Sequence, residues 1–182
     1  MTPYPGLPRA AGLLRATPAA LLLALAACAT APEPPRVQAL TAATPAQMVE
    51  YIRASGGDGD GELDVQPLRD SQVEDLRQQA ARLEQQGHHG DAAAALDQAM
   101  ALVADDPALL QERAEVALLL DDHALAGELA ARALALGSGV GPLCRRHQAT
   151  LEQVALVQGD AQRAAAAKVA IEGCRVAPPP RW

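Results

Sequence analysis

Three groups of residues have the types and spacing to do chemistry. The first is the run GGDGDGELDV, residues 56–65. Carboxylates at alternate positions around a glycine are how a twelve-residue loop wraps a calcium ion. Asp58, Asp60, Gly61 and Asp64 fall at the third, fifth, sixth and ninth places of such a loop. Gly56 and Pro67 stand where the first acidic ligand and the closing bidentate glutamate belong, so a flexible acidic loop is expected and no metal site. The second group is the histidines His88, His89, His123 and His147. With Asp91 and Asp122 nearby, His89 and His123 have the donor types for a weak metal site, but solvated turn residues are expected. No HExxH, GxSxG or phosphate-binding glycine loop is present, so neither catalysis nor a cofactor is expected. The third group is the cysteines Cys28, Cys144 and Cys174.

Cys28 closes an apolar run. Arg9 and Arg15 precede it without an acidic residue, and Ala16 to Ala27 are almost wholly apolar. A basic start, a short apolar stretch and a small-residue end describe a secretory signal, and the run is shorter than the ~20 residues that span a bilayer. Leu25-Ala26-Ala27-Cys28 resembles the bacterial lipobox. That resemblance implies cleavage before Cys28 and lipidation of its thiol. Ala29, where an aspartate would retain the protein at the inner membrane, implies a lipid anchor in the outer membrane with the domain facing the periplasm. Residues 1–27 are then a signal peptide and take no part in the fold.

Without Arg9 and Arg15 the chain keeps 13 basic residues against 22 acidic ones. Such a surface opposes nucleic acid and anionic lipid headgroups. Aromatic residues after Cys28 are limited to Tyr51 and Trp182, so a core must be built from Ala, Leu and Val. Small residues let helices approach closely, and no alternating β-branched pattern argues for strands. The fold class expected is all-α.

Residues 28–43 are Pro- and Ala-rich and read as a spacer. Thr44-Pro45 opens a helix that runs to about Ser55, with the acidic loop after it to residue 70. This N-terminal helix is expected to cap one end of the helical region beyond the loop. From 71 to 174 the pattern is helical and repeats. Leu76, Ala80, Leu83, Gly87, Ala92, Leu96 and Ala99 recur 34 residues later as Leu110, Ala114, Ala117, Asp121, Ala126, Ala130 and Ala133. Gly159-Asp160 repeats the turn in a third, degenerate unit, offset by GSGV at 137–140 and carrying Gln148 and Glu152 where apolar or small residues belong. A period of 34 is that of helix–turn–helix solenoids. The spacing resembles the tetratricopeptide repeat (TPR) family, with Pro107 opening the second unit and Leu or Ala at the family's aromatic positions. The expectation is a short TPR-like solenoid, two clear units and one degenerate, plus an additional N-terminal helix. Residues 175–182 are expected to form an extended tail.

In that frame Cys144 lies near the start of the third unit's first helix and Cys174 at the end of its second. Those ends adjoin in an antiparallel pair, so a disulfide is expected, the alternative being two separate thiols. The resemblance also implies a concave groove lined by each unit's first helix. Its positions are Glu74, Arg77, Ala81 and Glu84, then Gln111, Glu115 and Leu118, then Arg146, Ala149 and Gln153. Such a face suits an extended or helical peptide. The function expected is that of a lipid-anchored adaptor for a protein or peptide partner in the cell envelope. The alternatives are a self-associating structural lipoprotein without a peptide ligand and, after it, a divalent-metal-responsive protein.

Overall fold

The computed structural model describes residues 38–57 and 70–175. Cys28 with its surroundings, residues 58–69 of the acidic loop and the tail from 176 lie outside the described residues.

The described chain is all-helical: α1 (Pro45–Ser55), α2 (Ser71–Gln85), α3 (His89–Leu102), α4 (Pro107–Leu119), α5 (His123–Leu136), α6 (Pro142–Val157) and α7 (Ala161–Gly173). Helix starts are written in the sequence. Thr44 and Gln47 form a reciprocal capping box, the Thr44 hydroxyl accepting from Gln47 N–H at 3.3 Å and Gln47 Oε1 accepting from Thr44 N–H at 2.9 Å. Asp70, Asp106, Asp122 and Asp160 each accept a backbone N–H of the helix they open, as N-caps do.

Helices α2 to α7 pack as three pairs, α2 with α3, α4 with α5 and α6 with α7. One turn closes all three. The N–H of His88, Asp122 and Asp160 donates back to the carbonyl of Leu83, Ala117 and Ala155, each at 2.9 Å. The residue before each donor is left-handed: Gly87 at φ 78°, Asp121 at 63° and Gly159 at 70°. This is the Schellman geometry, for which glycine is the usual residue. Identical hydrogen bonding at three turns is the structural form of the sequence period, third unit included.

The core is made of small residues. Ala80, Ala92, Ala95, Ala99 and Leu96 pack with Val73, Leu109 and Val116 between α2, α3 and α4. A second cluster joins Ala117, Leu118, Ala126, Ala149, Val154 and Ile171 of the later helices to Val49 and Ile52 of α1. Alanine faces let helix axes come close, which is how a chain without phenylalanine fills its interior. At the far end the disulfide expected from position is present, Cys144 and Cys174 having a Cα–Cα distance of 5.7 Å. Beside it Gly141 N–H donates to the Cys174 carbonyl at 2.7 Å.

The N-terminal helix is not where it was expected. It does not cap the first unit. It packs on α6 and α4, the first helices of the third and second units, on the face expected to bind a ligand. The reason is its apolar stripe: Met48, Val49 and Ile52 occupy one face of an eleven-residue helix and are 2%, 3% and 0% exposed.

Candidate functional site

The candidate site is the face that α2, α4 and α6 share. It has two parts, a seat filled by α1 and an open cleft beside it.

In the seat the aliphatic stripe supplies area and polar groups fix position. Val49 and Ile52 lie in one cluster with Leu118 of α4 and Ala149 of α6. Tyr51 O–H donates to Glu152 Oε2 at 2.7 Å. Burial, and then the Glu152 carboxylate, push the phenol up to about 12, so it stays a donor at neutral pH. Arg53 forks between two helices, giving Nη1 and Nη2 to Glu84 of α2 at 2.8 and 2.9 Å and Nε to Glu115 of α4 at 2.8 Å. Burial pulls Arg53 down, but Glu84 and Glu115 outweigh it and hold the guanidinium above its ordinary value. Arg145 of α6 donates to the carbonyls of Ser55 and Gly56, satisfying the end of α1. Ahead of α1, Leu40 N–H donates to the Leu156 carbonyl at 2.8 Å.

Beneath α1 a polar network ties α4 to α6. Gln111 Nε2 donates to Glu115 Oε1 and to Thr150 Oγ1, both at 2.9 Å. His147 Nδ1 lies 2.7 Å from Gln111 Oε1, which fixes that nitrogen as the protonated one. Glu115 also takes Arg146 Nε at 3.0 Å. Glu115, Gln111 and His147 are all fully buried. Burial, with Arg146 beside it, pushes His147 down to about 4.

The open cleft holds about 410 Å³ and lies along α2. Ala80, Ala81 and Leu96 line it together with Arg77 and Glu74. Arg77 is held by Glu112 of α4 on one side and Glu74 on the other.

The ten residues expected in a groove therefore divide. Glu74, Arg77, Ala81, Glu84 and Arg146 line the open cleft. Gln111, Glu115, Leu118, Ala149 and Gln153 are buried, so they offer no open surface while α1 is seated. The histidines do not converge. Among the described residues no three His, Cys, Asp or Glu side chains form a metal-holding group. His123 Nε2 approaches Asp121 Oδ1 at 3.4 Å without a hydrogen bond. Tyr51, Arg53, Glu112, Arg145 and Glu152 belong to the site and were missed in sequence. The signal was present in MVEYIR: an aliphatic stripe at i, i+1 and i+4 with the one tyrosine of the domain and an arginine beside it.

A second groove, about 690 Å³, runs between α5 and α7 over α6, lined by Ala124, Gly127, Val154, Ala166 and Ala170. Among the described residues no helix is long and apolar enough to cross a membrane. No protein-family model matches the chain, and no curated protein or solved structure matches it.

Proposed function

We propose that this chain is a lipid-anchored, TPR-like adaptor of the bacterial outer membrane, facing the periplasm. Its shared α2–α4–α6 face holds a helical segment of another envelope protein. One observation carries the reading. That face already holds an amphipathic helix, α1, by an aliphatic stripe and side-chain anchors on two units. Helix-in-groove recognition works in this way, with apolar anchors for area and polar ones for register.

In-cell cross-linking of the full chain tests it, with Arg77→Glu and Ala81→Glu variants beside the natural protein. Ala81 is exposed at the open cleft, so the fold tolerates a charge there, whereas Arg77→Glu also breaks the pairs with Glu74 and Glu112 and its folding is checked by circular dichroism. Leu118→Glu is unsuitable, because Leu118 is fully buried and a charge there unfolds the domain. Capture of one envelope protein that both variants lose supports the adaptor. Recovery of the chain alone would replace it with a self-associating protein. The anchor is tested separately: Cys28→Ser should move the protein from membrane to soluble fraction, and unchanged retention rejects lipidation.

A further inference from the structure

The seat of α1 differs from the rest of the interior. The interfaces within α2–α3 and α4–α5 are apolar and alanine-rich. The α1 interface has three buried aliphatic side chains and depends on Arg53, Tyr51 and Arg145 for its geometry. Interfaces of this polar kind belong to elements that exchange, and a helix with few buried contacts opens first. The chain is built for such exchange. Thirteen peptide steps separate Gly57 from Asp70, a reach of roughly 45 Å when extended. That length lets α1 leave its seat while α2 stays packed on α3.

Charge says what could replace it. If α1 leaves, Glu84 and Glu115 lose the Arg53 guanidinium and Glu152 loses the Tyr51 hydroxyl. Glu115, fully buried beneath the seated α1, keeps Arg146 and Gln111 on Oε1, while Oε2 loses its donor. The emptied seat is an aliphatic trough with an acidic edge facing α2. A helix that covers Glu115 again buries that oxygen, which is costly without a donor, so a replacement must bring a cation to that point. Arginine suits it better than lysine, because the donors must fork toward two carboxylates on different helices.

We propose that α1 is a resident competitor in this seat, and that the partner is an amphipathic helix whose arginine takes the place of Arg53 between Glu84 and Glu115. This rests on the adaptor reading above. The partner's code is the one α1 displays: aliphatic residues at i, i+1 and i+4, then arginine at i+5. Binding is gated, because α1 competes at an effective concentration in the ~mM range set by its tether.

A fluorescein-labelled peptide of residues 41–57 is the probe, titrated by anisotropy into the full chain and into its Arg53→Glu variant. The variant, with α1 weakened, should bind at least about tenfold more tightly than the natural chain. A peptide carrying Arg53→Glu should bind the same variant at least about tenfold less tightly. Hydrogen exchange of the natural chain is the second measurement and does not depend on the variant folding. Excess peptide should speed exchange in 45–55 and leave 107–119 and 142–157 protected. Equal affinity of the two chains, equal affinity of the two peptides, or unchanged α1 exchange at millimolar peptide overturns the proposal. Mixed dimers by sedimentation, in place of peptide binding, would make the occupant a second copy and also overturn it. A photo-cross-linker at Ala81 separates the two readings. A partner captured there with the seat inert leaves the adaptor standing and removes this inference. Peptide binding with nothing captured in cells does the reverse.

Discussion

Protonating His147 should cost this fold about 3 kcal/mol, and the loss should fall in a defined pH window. The ring is fully buried on α6 with Nδ1 donating to Gln111 Oε1. Its Nε2 has no hydrogen-bond partner, and the loop at Gly137 passes close by, a Cβ there falling 3.5 Å from Nε2. A second proton would sit on that nitrogen without a partner, and the positive charge of Arg146 opposes it. Glu115 is near, but Gln111 stands between. Burial and Arg146 hold the folded value at about 4, against about 6.5 when unfolded. The folded value is the depressed one, so the unfolded chain takes up the proton first. Stability is therefore full above pH 6.5, falls between 6.5 and 4, and levels below 4. A gap of about 2.5 pH units at 1.36 kcal/mol each gives roughly 3 kcal/mol.

Urea unfolding at intervals from pH 7.5 to 4, for the natural chain and His147→Asn, isolates this effect. The asparagine amide can donate toward Gln111 and does not titrate. It lowers stability at every pH by roughly 1–3 kcal/mol through lost volume, which moves the curve without tilting it. Carboxylates contribute equally to both chains and cancel in the difference. The natural chain's advantage should fall by about 3 kcal/mol from pH 7.5 to 4, so that it vanishes or reverses. Two parallel curves would refute the reasoning and show that His147 protonates freely in the folded state.

Ile52→Ala should destabilise the domain by about 2–5 kcal/mol in urea, with exchange protection lost first in 45–55, because Ile52 is fully buried. Asp121→Gly should raise stability by roughly 1 kcal/mol, since Asp121 holds a left-handed backbone that glycine adopts without strain; an unchanged or lower midpoint would contradict this. Reducing Cys144–Cys174, which closes a loop with a sequence separation of 30, should remove about 3–4 kcal/mol, read as a lowered urea midpoint with dithiothreitol.

What was legible in the sequence was what depends on local period. Ala80, Ala92, Leu96 and Ala99, and then Leu110, Ala114, Ala117, Ala126, Ala130 and Ala133, were picked by the 34-residue spacing, and all are buried. The turn at Gly87, Asp121 and Gly159 was legible for the same reason: one backbone conformation repeats, and glycine marks it twice. The position of α1 was not legible. Its stripe shows that it must bury one face, but a helix on a long tether can reach either the end of the stack or its shared face. Nothing local chooses between them. Glu152 held the missing information. It looked like a polar residue spoiling a degenerate repeat, and it is the acceptor for Tyr51. Polar residues at expected core positions are explained by their partners, and here the partner lies 101 residues away.

The degeneracy of the third unit then has a physical reason. Its first helix packs on α7 and on α5, as the first helix of a later repeat does, and must also serve a third surface, against α1. Toward α5 and α7 it keeps the small and apolar pattern of a repeat, with Val154 in the core beside Gly127 and Cys144 in the staple. Toward α1 it carries Arg145 for the helix end and Glu152 for Tyr51, while Arg146 reaches Glu115 of α4. The disulfide lies in this unit, joining the start of α6 to the end of α7. The unit least recognisable as a repeat is therefore the one most committed to holding a helix.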